Sequence, residues 1–233
     1  MPNLEYENKY NETVAGVDEV GRGCLAGPVF VAMVALPKEC ELPEVTDSKK
    51  VPKNKHQELT EQIINTAEFF AIGYATPEEI DKYNINNAIE LAVARAYRAQ
   101  PHATTLLIDG NQTNTNYFLN YLLETDQLDN LENIKDWFYT NKIRQQKPTT
   151  NKIKQETIVK GDSKSLSIAA ASIVAKAFRD EWMRQAELQP GCQYYGWGQN
   201  SGYGTQAHIR AINEHGITPY HRKSFAPIKN MKV

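Results

Sequence analysis

GVDEVGRGCLAGP, Gly16–Pro28, is the stretch on which the reading of the fold turns. Just before it, Thr13–Val17 is apolar and β-branched enough for a buried strand. Asp18 and Glu19 read as the end of that strand. Gly21, Gly23 and Gly27 follow, with Arg22 between the first two, and Pro28 closes the loop. A second apolar run, Val29–Leu36, reads as another strand, antiparallel to the first. Two ionised carboxylates beside a buried strand are costly unless a cation pairs with them. A divalent metal is the usual partner when several carboxylates converge. Glycines let a backbone approach a ligand closely and present its N–H groups. These residues alone leave a plainer reading open, a polar strand end followed by a turn. A dinucleotide fingerprint does not fit, because Ala26 stands where its third glycine belongs. Pro28 and a β-branched run follow, where that motif needs a helix.

Working outward, the 233 residues suffice for one large domain or a domain carrying an insertion. We read one domain, 1–233, with an insertion at 111–155 and a C-terminal segment from about 189 to 233. With 41% hydrophobic and 23% charged residues the chain is globular and not disordered. No apolar run approaches a membrane span, and the polar, acidic start MPNLEYENKYNE is no signal or transit peptide. Cys24, Cys40 and Cys192 are odd in number and form no C-x-x-C pair, which suits reduced thiols in a cytoplasmic protein. None of the five histidines has zinc-ligand spacing. A net charge of −2 is silent on nucleic acid, but local charge is not. Seven Lys and Arg between Asn141 and Lys164 face Glu156 and Asp162 alone, and five from Pro190 onward face Glu214 alone. An average can hide a basic face; equally, such loops can be simply solvated.

The first dozen residues read as a loose tail. Pro52 opens a helix running to about Ala67, Glu68–Ala75 is a strand, and Thr76-Pro77 starts another helix. In Asn84–Gln100 the stripe Ile85, Ala88, Ile89, Ala92, Val93 and Ala96 predicts a helix that Pro101 stops. Thr104–Ile108 is a short apolar strand ended by Asp109-Gly110. The Asn-, Gln- and Thr-rich stretch that follows holds two weak helices, near Tyr117–Glu124 and Leu131–Tyr139. Glu156–Lys160 reads as a strand closed by Gly161-Asp162. Ser165–Leu188 is a long helix whose small face, with Ala169, Ala170, Ala171, Ser172, Ala175 and Ala177, lets a partner lie close. A glycine- and tyrosine-rich loop and a short helix, Thr205–His215, lead to the tail HRKSFAPIKN. This order predicts an α/β or α+β fold with a mixed sheet.

Asp18, Asp109 and Asp162 each stand at or just past the end of a strand. If the central strands are parallel neighbours, their carboxyl ends meet at one edge. Glu19 joins them only if the strand breaks or bulges there, since successive side chains point to opposite faces. Four carboxylates around two cations would suit two-metal hydrolysis of a phosphodiester, with Mg²⁺ or Mn²⁺ in an all-oxygen site.

GVDEVGRGCLAGP, then DSKK at Asp47–Lys50, LLIDG at Leu106–Gly110, VKGDSKSLSIAAASIVAKAFRD at Val159–Asp180, SGYGTQAH at Ser201–His208 and HRKSF at His221–Phe225 together resemble the ribonuclease HII family. That resemblance implies an RNase H-like fold: a mixed five-stranded sheet flanked by helices, with a C-terminal helical segment. It implies cleavage of the RNA strand of RNA–DNA hybrids and incision on the 5′ side of a ribonucleotide embedded in duplex DNA. It further implies two Mn²⁺ or Mg²⁺ ions held by Asp18, Glu19, Asp109 and Asp162. The ribose-reading loop matches Gly21, Arg22 and Gly23, and the sugar-stacking tyrosine matches Tyr203. Lys49, Ser172, Thr205 and His208 fall where the family contacts nucleic acid. Telling RNA from DNA requires reading a 2′-hydroxyl, and a glycine loop can do so with its backbone. Unaided by the resemblance, Tyr203 would be an ordinary loop tyrosine. Asp180 reads as a surface or supporting acid, and His221-Arg222 as a solvated tail or a phosphate contact.

The stretch from Asp109 to Asp162 is long for the family, and its Trp137-Phe138-Tyr139 and basic residues could form a substrate flap. With the first motif beginning by Val14, we expect no extra N-terminal domain of the ribonuclease HIII kind, and GRG also favours HII. Two other readings compete: a DNA-cutting nuclease of the same fold, and a nucleic-acid-binding module without catalysis. We expect a monomer with no membrane association.

Overall fold

The structure is a computed structural model, and it describes residues 1–100, 102–111 and 153–231. Five strands form one mixed sheet: β1 (Val14–Val20), β2 (Val29–Ala35), β3 (Phe69–Ala75), β4 (Thr105–Asp109) and β5 (Lys154–Ile158). Their spatial order is β3-β2-β1-β4-β5. β1, β2 and β3 pair antiparallel, while β4 lies parallel to β1 and to β5. The helices are α1 (His56–Thr66), α2 (Pro77–Ala99), α3 (Leu166–Glu187), α4 (Trp197–Asn200) and α5 (Gln206–His215).

Each sheet face carries its own core. Ala15, Val17, Val31, Met33, Leu106 and Ile108 pack under α2. Ala32 and Val34 pack with α1 and with the alanines of α3 on the other face. The close approach foreseen for the small face of α3 is real. A Cβ on Gly16 of β1 would collide with the Ser167 backbone. Gly73 of β3 permits the same approach on the α2 side, against the Ala92 carbonyl. Both contacts leave no space for a methyl group, so the glycines are fixed by packing.

Four expectations need correcting. β1 does not end at Asp18 and Glu19; it pairs with β2 residue for residue through Val20. The last strand lies two residues earlier than its apolar signal suggested. Val159 is exposed and Lys160 is left-handed, so the chain has already left the sheet, whereas the polar KQETI forms the strand. The opening residues are no loose tail. Glu7 is buried and its Oε1 accepts from the Ser165 hydroxyl at 2.6 Å, the Ser167 N–H at 2.9 Å and the Ser167 hydroxyl at 2.6 Å. A carboxylate there meets the free N–H groups and positive dipole end of α3. The two helices read around Asn84 form one span with a kink, where Asn84 has φ of 67°. Its Oδ1 accepts from the Asn86 and Asn87 N–H groups and so starts the second half. Of the insertion read at 111–155, residues 112–152 lie outside the described residues, and with them both weak helices and the flap.

Glu90 sits in the middle of α2, 6% exposed, with Oε2 unpartnered. Burial pushes its carboxyl up to about 7 from 4.5. The folded protein therefore holds a proton that the unfolded chain releases above pH 4.5. That stability is complete below pH 4.5 and is lost as pH rises through 7, about 3 kcal/mol at most. Glu90→Leu is expected to raise the thermal midpoint at pH 8.5 far more than at pH 5. Equal shifts at the two values would disprove this account of Glu90.

Candidate active site

The parallel run of β1, β4 and β5 puts their carboxyl ends at one sheet edge. Val17 lies opposite Ile108 in the register, so Asp18 and Asp109 are the next neighbours on the alternate face, toward α3. Asp109 ends β4, and its Oδ1 accepts from the Gly161 N–H at 2.6 Å. That bond fixes the short 3-10 turn Gly161–Ser163, which carries Asp162.

The electrostatics show the convergence. Burial raises Asp18 well above the usual carboxylate range, and Glu19 and Asp109 raise it further. A hydrogen bond from the Ser172 hydroxyl opposes this. Burial also raises Glu19, where the Arg22 cation counters and Asp109 adds. Asp162 is raised by burial, then by Asp109 and Asp47, with Lys49 countering. One carboxylate, Asp109, thus bears on each of the other three. Glu19 does this without the expected bulge, since β1 stays regular through it. β4 has already ended, so past Ile108 no strand pairs with β1 on that side. Glu19 stays on the α2 side, 3.5 Å from Arg22, whose other nitrogen donates to Asn86 of α2 at 2.5 Å.

Beside the acids, the glycine loop is held from beneath by two buried arginines. Arg179 of α3 donates to the carbonyls of Pro28 at 3.0 Å, Ala26 at 3.1 Å and Ser201 at 2.7 Å. Arg222 donates to the carbonyls of Gly27 at 2.9 Å and Arg22 at 3.0 Å. Loop carbonyls therefore turn inward. Gly21 has φ of 90°, and a Cβ there would strike Arg179. Around Gly23 a Cβ would meet nothing within 4 Å, so this position is open. Tyr203, 45% exposed, stands on a neighbouring loop. The Gly202 carbonyl before it accepts from the Leu25 N–H at 2.8 Å and the Ala26 N–H at 3.2 Å. Burial first, then the neighbouring Cys24 side chain, raises the Tyr203 hydroxyl above its usual range.

The ribonuclease HII family model matches residues 15–228. The chain belongs to the ribonuclease HII family. It is accordingly a hydrolase, an endonuclease of the ribonuclease H kind. Its fold is similar to the ribonuclease H2 of Pyrococcus horikoshii OT3, with a TM-score of 0.67, 19% identity and coverage of 94% of this chain and 96% of that one. It is also similar to the ribonuclease HII in a PCNA complex from Archaeoglobus fulgidus, with a TM-score of 0.63, 24% identity and coverage of 91% and 95%. Bst-RNase HIII in complex with Mn²⁺ gives a TM-score of 0.59 at 19% identity, covering 94% of this chain and 68% of that one.

Among the described residues, no three His, Cys, Asp or Glu side chains close on a common point as metal ligands do. The family's metals nonetheless fit the donor set. It is all oxygen, partly buried, and its members raise one another's protonation, which a hard divalent cation would relieve.

The structure sorts the remaining expectations. Lys49 is exposed near Asp162, and Thr205 is exposed at the start of α5. Ser172 is buried between Asp18 and Ser48, its hydroxyl oxygen 2.9 Å from that of Ser48. His208 is fully buried, so it does not reach nucleic acid, contrary to the reading that made it a contact. Asp180 supports the Tyr203 loop, accepting from the Ser201 hydroxyl at 2.8 Å and pairing with Lys176 at 2.8 Å. His221-Arg222 is no solvated tail; both residues are buried. Arg179 was missed altogether. Its one signal was position, on the same helical stripe as Ser172, Ala175, Met183 and Ala186.

Proposed function

We propose that this protein cuts the RNA strand of RNA–DNA hybrids and incises duplex DNA on the 5′ side of an embedded ribonucleotide. Water attacks the phosphorus, the bond from phosphorus to O3′ breaks, and 3′-hydroxyl and 5′-phosphate ends remain. The observation that carries the reading is the ion pair of Arg22 with Glu19. It links the glycine loop to the acid cluster, which supports a single site for hydroxyl reading and hydrolysis. Asp18, Glu19, Asp109 and Asp162 would hold two Mn²⁺ or Mg²⁺ ions. When bound, such ions supply an activated water and stabilise the leaving oxygen.

The chain's own groups do the rest. Ser172 orients Asp18. The inward carbonyls leave the loop's N–H side at Gly21–Gly23 for the 2′-hydroxyl. The Tyr203 ring lies against the next sugar, where a bulky 2′ substituent would clash. Lys49 offsets phosphate charge beside Asp162. Free thiols at Cys24, Cys40 and Cys192 support a reducing, cytoplasmic setting. Among the described residues no helix is long and apolar enough to cross a membrane.

The test compares an RNA–DNA hybrid with an all-DNA duplex of the same sequence, each with Mg²⁺ or Mn²⁺. The hybrid is expected to be cut and the DNA spared; equal rates would favour a DNA nuclease of this fold. Tyr203→Ala is expected to slow cleavage at a single ribonucleotide by about ten- to a hundredfold, the size of one lost stacking contact. Binding should weaken less. Matching losses in the two would assign Tyr203 to affinity and not to substrate reading.

A further inference from the structure

Beneath Tyr203 lies a buried chain of hydrogen bonds that the hydrolytic site does not use. Trp197, His208 and His221 are at most 1% exposed. The Trp197 indole N–H lies 3.1 Å from His208 Nε2. Indole nitrogen only donates, so Nε2 of His208 accepts and its proton resides on Nδ1. That Nδ1 is 2.9 Å from the Tyr203 carbonyl. At the far end, the Thr218 N–H lies 3.0 Å from His221 Nδ1, which must therefore accept. The His221 proton is then on Nε2, 3.2 Å from His208 Nε2. Both tautomers are thus dictated by neighbours. Burial disfavours a charge on either ring: it lowers His208, and together with His208 it lowers His221 to about 4.

We infer that His208 is a positioning residue for Tyr203: through its Nδ1 proton it fixes the reader tyrosine over the glycine loop. The Tyr203 carbonyl receives the Thr205 N–H at 2.8 Å on its other side, and the Tyr203 N–H reaches the Asn200 carbonyl at 2.9 Å. The residue is thereby pinned at both ends of its backbone. The same relay passes through His221 to the segment that binds the glycine loop. The Gly27 N–H donates to the Tyr220 carbonyl, and the Arg222 N–H to the Leu25 carbonyl, each at 2.8 Å. One buried network therefore sets the distance between ring and loop, and with it the discrimination for a lone ribonucleotide. This role rests on the function proposed above.

Two near-isosteric variants separate it from packing. Asn at 208 puts an amide where Nδ1 was and keeps a donor for Tyr203. Gln puts its amide where Nε2 was, keeps an acceptor for Trp197 and His221, and loses that donor. His208→Gln is expected to lower kcat at a single embedded ribonucleotide on the order of tenfold, one lost hydrogen bond, with a smaller loss on a long hybrid. His208→Asn should restore most of that rate. The reverse ranking would confine His208 to holding Trp197 and would overturn the inference, as would equal losses on both substrates in step with thermal midpoint. Independently of cleavage, protein labelled with fluorotyrosine reports the Tyr203 resonance, assigned by Tyr203→Phe. That signal should shift or broaden in His208→Gln and not in His208→Asn; an unchanged signal in both would overturn the role. If wild type cuts neither substrate, the proposed function fails, and this signal still decides the positioning.

Discussion

Asp109→Asn is expected to leave a protein that folds and binds a hybrid but hardly cuts it. The exchange keeps the shape and keeps an oxygen for the Gly161 N–H, the bond that anchors the Asp162 turn. What it removes is the charge that bears on Asp18, Glu19 and Asp162 together. A divalent ion would lose its central anionic donor. We expect kcat at saturating Mn²⁺ to fall on the order of a thousandfold or more, as when a principal charge-stabilising group leaves a preorganised site. Without metal, the thermal midpoint should rise, because like charges in a buried cluster repel. Turnover within tenfold of wild type would contradict the assignment. A lowered midpoint would show that Asp109 serves the fold more than the chemistry.

Arg179→Met has the second large effect, through the architecture of the loop. The Arg179 side chain is fully buried, and its three hydrogen bonds end on main-chain carbonyls of Ala26, Pro28 and Ser201. Methionine fills much of the volume but leaves those carbonyls without donors. Each stranded acceptor costs about 1–3 kcal/mol, and partial relaxation brings the sum to about 3–5 kcal/mol. Urea denaturation is expected to show that loss. Cleavage at a single ribonucleotide should fall beyond it, since the loop and the Ser201 side of the Tyr203 loop are both released. A change under about 1 kcal/mol would mean the loop holds its shape without the guanidinium.

What was legible in the sequence follows from what each residue advertises. β2 is a run of seven apolar residues and could hardly be misplaced. The acids of β1 and β4 were visible because an apolar run of sequence stops beside each of them. β5 was not, since KQETI is polar and the apolar signal lay just beyond, on residues that leave the sheet. Glu7 was illegible because its partners, Ser165 and Ser167, lie more than 150 residues away. His208 shows the limit most clearly. Its motif resembled that of a substrate contact, and motifs carry no information on burial. Glu19 lies where pleat alternation puts it, opposite Asp18 on a regular strand, and from there it feels Asp109 without the expected bulge.

The central claim is that a metal-bound acid cluster and a hydroxyl-reading loop are one site, and incision mapping tests it most directly. A DNA duplex carrying one ribonucleotide is incubated with the protein, with Mn²⁺ and with chelator, and the nicked strand is sized at single-nucleotide resolution. We predict one cut, on the 5′ side of the ribonucleotide, leaving a 3′-hydroxyl, present with Mn²⁺ and absent with chelator. Cuts spread along the DNA, or the same cut in chelator, would contradict it.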